Sequence, residues 1–219
     1  QVKVIGKEAA IEKVQLETDE KEEADYRAKT VFDSIPAKDK QTQGIELKVL
    51  SKIFEENKLA QKMYNVQMGK LKIDYAANTL SAAKVELIYQ AANAKNKETV
   101  KNTMSQILSE VTSSKNSFYT VAKNKTQADA IEYVIGNQDS RKNLAKVVVS
   151  LKKNQTSALI EEKDGFYIAH CIQTNSAALQ QQYRNQLVSE KQTESFQKTY
   201  KTWSDKFDVK VSKALLAAN

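Results

Sequence analysis

An α+β fold, with a helical domain assembled from both chain ends and a mixed strand-and-helix module inserted between them, follows from three features of this 219-residue sequence. Helix breakers are scarce, one proline and five glycines, so long helices are expected. Apolar residues recur at three and four residue steps near both ends of the chain. Between them the period shifts to two, the mark of strands.

Thr18 to Ile35 reads as a helix in which Thr18 caps, acidic residues complement the dipole in the first turn, and Pro36 terminates. Its apolar side carries Ala24, Ala28, Val31 and Phe32. A polar connection containing Gly44 leads to a second long helix, Glu46 to Met68. Leu47, Leu50, Phe54, Leu59, Met63 and Val66 mark its apolar side, and the two helices are expected to pack together.

The period changes at Leu80 and Ser81. Val85, Leu87 and Tyr89 then alternate with Lys84, Glu86 and Ile88 as a strand. Val100, Met104, Ile107, Leu108 and Val111 predict a helix, Phe118, Val121 and Ala122 a short one, and Ile131 to Ile135 a strand. Leu144, Val147, Val148 and Leu151 mark another helix. Two strands, Ser157 to Glu161 and Phe166 to Ile172, follow, joined by the turn signal Asp164-Gly165. Past Thr174, Leu179, Tyr183, Leu187, Phe196, Tyr200 and Trp203 keep helical spacing, and Val209 to Val211 reads as extended. The expected domains are residues 1–79 and 174–219, forming one helical unit, and residues 80–173, inserted into it.

Composition narrows the function classes. Hydrophobic residues at 41% and charged residues at 28% fit a globular chain better than a disordered one, and no apolar run reaches the roughly 20 residues of a membrane span. Beginning at Gln1 without an initiating Met, the sequence is expected to be a trimmed or mature form. A net charge of +7 favours anionic partners, including acidic clients and cell-wall polymers. The basic residues are interleaved with acidic ones, as where Lys21 lies between Asp19-Glu20 and Glu22-Glu23, so no nucleic-acid partner is expected.

His170 and Cys171, the only residues of their types, point to opposite faces of a strand and are read as packing residues, with no metal site and no catalytic residue assigned. No cofactor is expected. Phe196, Tyr200 and Trp203 are expected to close a seam against the N-terminal helices.

Three segments give the middle module a resemblance to the parvulin-type peptidyl-prolyl isomerase domain: Ala83-Lys84-Val85-Glu86-Leu87-Ile88-Tyr89, Phe118-Tyr119-Thr120-Val121-Ala122-Lys123, and Val149 to Asn154 followed by Gly165-Phe166-Tyr167-Ile168. The flanks Leu16 to Glu20 and Phe196, Tyr200, Trp203 and Phe207 to Val211 are similar to the helical parts of clostridial PrsA- and SurA-like lipoproteins. This resemblance implies a helical chaperone-like domain, an inserted parvulin-like antiparallel sheet, and export to the cell surface on a lipid anchor that is not in this sequence. It also implies unfolded or extended polypeptide clients; a homodimer is a further possibility.

At two positions the sequence departs from that family. Leu87 and Tyr167 stand where the resemblance places the two histidines of parvulin sites, and Thr126 and Gln127 are all that match the polar segment after the short helix. The expected function is therefore an extracytoplasmic foldase or chaperone whose isomerase chemistry is lost. The alternative is an active prolyl isomerase with a site rearranged around Tyr167, since lowering a rotational barrier of about 18–20 kcal/mol requires no proton transfer. Leu87, Tyr133, Leu144, Val148, Tyr167 and Ala169 are the expected peptide-binding groove.

Overall fold

The structure, a computed structural model, describes residues 1–76, 79–113 and 116–207. The extended piece expected at Val209 to Val211 lies outside them. Two compact units emerge: Gln1–Ile73 together with the residues from Glu190 on, and Asp74–Ser189.

The first unit is helical. α1 (Val2–Ile11) was not legible in the apolar spacing; it buries Val4, Ile5 and Ala9 against Met63 and Trp203. α2 (Thr18–Ser34) starts one residue earlier than the capping signal suggested. Glu17 is the N-cap, and its side chain and that of Glu20 form a reciprocal capping box, leaving Thr18 as the first helical residue. The expected polar connection contains a short helix, α3 (Ala37–Gln43), because Pro36 presets the backbone at its start and Gly44, at φ +62°, ends it in the left-handed conformation.

α4 (Leu47–Gly69) runs along α2, where the small buried residues Ala24 and Ala28 allow close approach. The Lys62–Glu20 pair at 2.6 Å and the Lys58–Glu23 pair tie the two helices together. The final turns of α8 (Ala177–Lys206) bring Trp203 into the core of this unit, with Phe196 and Tyr200 packed beside it. Phe196 meets Tyr64 of α4 edge-on at 4.9 Å, and Trp203 packs with Val4, Ile5 and Met63, so these aromatics close the seam expected of them.

The second unit is built on a four-stranded antiparallel sheet in the order β2-β1-β4-β3. Its strands are β1 (Ala82–Ala91), β2 (Glu132–Gly136), β3 (Ile160–Glu162) and β4 (Gly165–Gln173). α5 (Lys97–Thr112) and α6 (Phe118–Lys125) cover one face, burying Met104, Ile107, Phe118 and Val121 against Ile88, Phe166 and Ile168. α7 (Lys142–Val148) covers the other. Tyr183 and Leu187, from the first half of α8, pack with Leu80 and Ala82 in this unit. With its mixed elements and antiparallel sheet, the chain is α+β.

β3 is shorter and later than expected. Ser157 Oγ accepts from the Ala169 amide at 2.9 Å, so a side chain occupies a ladder position, and only an isolated bridge at Thr156 precedes the strand proper. The two-residue turn Lys163-Asp164 then reverses the chain. Gly165 is required here because a Cβ would stand 2.2 Å from the Gln90 carbonyl oxygen.

Candidate functional site

Alternation along the two central strands decides which side chains meet. Leu87 pairs with Ala169 and Tyr89 with Tyr167, so all four point to the face covered by α7. Tyr133 joins them from β2, opposite Val85, and α7 supplies Leu144 and Val148 at i and i+4. The six residues expected to form a groove thus belong to one cluster. Leu144, Val148 and Ala169 are fully buried, Leu87 and Tyr167 nearly so, and Tyr133 is half-buried with its hydroxyl accepting from the Ala130 amide at 2.9 Å. Their side chains fill the space between the sheet and α7.

Polar atoms gather at one rim of this cluster. The Tyr167 ring stacks on Tyr89 at 4.6 Å, and its hydroxyl donates to Asp164 Oδ2 at 2.6 Å. Tyr89 donates to the Asp164 carbonyl at 3.0 Å. Above the Tyr167 ring, at 5.6 Å, sits the Arg141 guanidinium. Arg141 grips Asp139 in a bidentate pair, Nε to Oδ1 at 3.0 Å and Nη2 to Oδ2 at 2.7 Å, while its amide donates to the same carboxylate.

The electrostatics follow from this arrangement. Burial, reinforced by the Asp164 carboxylate, pushes the Tyr167 phenol above its ordinary range, so it is a neutral donor at any physiological pH. Burial also acts to raise the Asp139 carboxyl, but the hydrogen bonds and charge of Arg141 outweigh it and hold the group below the ordinary aspartate value.

A cleft of about 590 Å³ opens beside this rim, between residues 140–143 at the start of α7 and residues 161–164 at the β3–β4 turn. Arg141 and Asp164, which line it, are also the residues that meet the Tyr167 ring and hydroxyl. Asn143 Nδ2 donates to the Glu161 carbonyl at 2.8 Å and the Leu144 amide to Glu162 Oε1 at 2.9 Å, fixing the two walls to each other. The cleft therefore offers hydrogen-bond donors and acceptors on two walls bonded to each other.

The polar rim was not anticipated. Asp164 counted only as a turn residue, and Asp139 and Arg141 lie in a segment with no periodicity. Tyr89 was within reach of sequence reasoning, being two residues from Leu87 on the same strand. Thr126 and Gln127 have a structural task. Thr126 Oγ1 accepts from the Tyr89 amide at 3.0 Å, Gln127 Oε1 from the Ala91 amide at 2.8 Å, and the two side chains cap β1 beyond the end of β2.

His170 and Cys171 do lie on opposite faces. His170 bonds Thr156 through Nδ1 at 2.9 Å and stacks on Phe118, and burial lowers its pKa. Cys171 is buried in the α7 cluster, where burial raises its thiol pKa. Among the described residues no cluster of three or more His, Cys, Asp or Glu side chains could hold a metal ion.

Residues 84–173, the sheet with α5 to α7, match the model of the rotamase family described as the PPIC-type PPIASE domain. Among solved structures, the chain is similar to the peptidylprolyl isomerase PrsA of Bacillus anthracis at 13% identity and a TM-score of 0.47, over 97% of this chain and 96% of that one. The foldase protein PrsA of Streptococcus pneumoniae aligns at 14% identity and a TM-score of 0.40, over 97% and 83%. A PpiC-type peptidyl-prolyl cis-trans isomerase domain aligns at 20% identity and a TM-score of 0.42, over 46% of this chain and 98% of that one. No curated protein sequence matches the chain.

Proposed function

We propose that this protein is a foldase of the chaperone type, whose PPIC-type unit binds extended segments of unfolded, exported polypeptides without isomerising them. The observation that carries this reading is the state of the two positions where parvulin histidines would stand. Leu87 is an aliphatic side chain in a solid core, and the Tyr167 hydroxyl is committed to Asp164. No free donor faces a twisted amide from either position. The client would lie in the cleft between residues 140–143 and 161–164, next to the cluster of Leu87, Tyr133, Leu144, Val148, Tyr167 and Ala169, which it meets through Arg141 and Asp164 at Tyr167. A location outside the cytoplasm, a lipid anchor and a homodimer belong to the same reading; among the described residues, no helix is long and apolar enough to cross a membrane.

One observation favours the second reading, an active prolyl isomerase: Tyr167, Arg141 and Asp164 form a polar constellation beside an open cleft. The test pairs aggregation of a chemically unfolded client, without ATP, with isomerisation of a short Xaa-Pro peptide. The proposed function requires suppressed aggregation and no rate acceleration. Equal aggregation with and without the protein would reject it, and an acceleration lost in Tyr167→Phe would establish the isomerase instead.

A further inference from the structure

The sheet has two edges, and the described residues treat them differently. At β2, Val134 packs with Tyr183 and Leu187 of α8, and the Tyr183 ring lies so close to Gly136 that a Cβ there would stand 2.3 Å from it. At β3, Ile160 and Glu162 pair with Tyr167 and Gly165 of β4. Bonding alternates along an antiparallel ladder, and the odd-numbered residues of β4 are those that bond toward β3, as where the Ser157 amide donates to the Ala169 carbonyl at 2.8 Å. Glu161, opposite Phe166, therefore directs its N–H and C=O away from the sheet. Its carbonyl accepts from Asn143 Nδ2 and keeps a second lone pair; among the described residues no hydrogen bond reaches its amide. Beside this edge is an apolar hollow of about 260 Å³ lined by Val147 of α7 and by Ala158, Leu159 and Ile160. Asn143 and Glu161 line both the hollow and the cleft between residues 140–143 and 161–164, so the two adjoin.

We propose that an extended polypeptide segment lying in the cleft adds a fifth strand to the outer edge of β3, with its main chain bonded to the Glu161 amide and its next aliphatic side chain in the hollow beside Val147. The inference rests on the client reading above and gives it a selectivity. The client residue opposite Glu161 exchanges main-chain bonds and cannot be proline, whereas the residue opposite Ile160 points to the α7 face, where the hollow takes an apolar side chain. A single extended chain fits this edge better than a second copy of the protein. Three residues, with Glu161, Glu162 and Lys163 in succession, make the short, charged kind of edge that resists pairing between two folded sheets. A client already held in the cleft needs only the one bonded pair at Glu161.

The experiment is fluorescence anisotropy of a labelled ten-residue peptide, threonine and serine around one central isoleucine, titrated with the full chain. Glu161→Ala removes the side chain that pairs with Lys97 at 2.6 Å and keeps the amide; Glu161→Pro removes both. Glu161→Pro is expected to bind about fivefold more weakly than Glu161→Ala, the fold-change equivalent to about 1 kcal/mol for one hydrogen bond. Proline is tolerated on an edge strand where the N–H faces outward, so the two variants should share a urea midpoint. N-methylation of the two peptide residues that flank the isoleucine should weaken binding, and N-methylation of the isoleucine, whose N–H points away from β3, should not. The peptide series reads the same bond even if Glu161→Pro fails to fold.

Equal affinity of folded Glu161→Pro and Glu161→Ala would overturn the proposal, as would N-methylation that weakens binding equally at every position or a wild type that does not bind the peptide. In each case, suppression of client aggregation by the wild type would leave the client reading standing, and its absence would remove both. A wild-type dimer that Glu161→Pro converts to a monomer would assign the edge to a second copy and overturn the proposal as well.

Discussion

Removing the Tyr167 hydroxyl should cost little, whereas removing its ring should cost much, and the difference separates packing from hydrogen bonding at the heart of the site. In Tyr167→Phe the stack on Tyr89 at 4.6 Å survives and only the 2.6 Å bond to Asp164 is lost. Asp164 is exposed, so water replaces the donor, and the expected loss is about 1 kcal/mol. In Tyr167→Ala a ring only 3% exposed leaves a cavity beneath α7, for which about 3–5 kcal/mol is expected. Urea unfolding followed by far-ultraviolet circular dichroism measures both, while fluorescence of Trp203, the only indole, follows the helical unit. If Tyr167→Phe costs as much as Tyr167→Ala, the hydroxyl network and not the packed ring holds this face, and the account of a solid apolar cluster is wrong.

Asp139→Asn should destabilise the same unit by about 2 kcal/mol, below the roughly 3–5 kcal/mol of a fully buried broken pair because the Arg141 side chain keeps 29% exposure. Since the folded pKa of Asp139 is depressed, the pair's contribution is complete above about pH 4 and is lost as pH falls through the folded value; the gap between wild type and variant in urea midpoint should close on acidification. Gly165→Ala should cost about 3 kcal/mol, because the Gln90 carbonyl 2.2 Å from the new Cβ is backbone in a central strand and cannot swing aside; a midpoint within error of wild type would contradict this. Glu8→Met should stabilise the helical unit by about 1 kcal/mol, since Glu8 is buried with Oε1 on Lys206 and, among the described residues, Oε2 has no partner. A lower Trp203 unfolding midpoint would show that the charge is needed.

Elements with an unbroken period were legible in the sequence, and those that depend on single polar contacts were not. α2, α4, α5 and the central strands β1 and β4 follow from where their apolar residues recur, because each must bury one face or both. α1 was missed since Val4, Ile5 and Ala9 are too few to set a period in a helix of ten residues. β3 was misplaced because the Ser157 hydroxyl takes a ladder bond, which no propensity encodes. The alternation of β1 and β4 sufficed to bring Leu87, Tyr167 and Ala169 together. It could not say that α7 would press Leu144 and Val148 so closely upon them that a groove becomes a core. Asp139, Arg141 and Asp164 sit in loops, where a pair two residues apart or a turn residue carries no signal of the tertiary partner it will meet.

Aliphatic and aromatic residues at positions 87 and 167 have a physical consequence for the whole unit. A buried polar network must satisfy each of its donors and acceptors or lose stability, whereas Leu87 and Tyr167 contribute apolar burial on the face that α7 covers. The polar groups near the site lie instead at the rim, where Asp139 occupies the Nε and Nη2 edges of Arg141 and Tyr167 occupies one oxygen of Asp164. A guanidinium held this way can still offer its remaining N–H groups to a carbonyl, from an orientation that Asp139 fixes. On the proposed function, rigidity at the rim would favour holding a ground-state segment over stabilising a twisted one, and catalysis depends on the second.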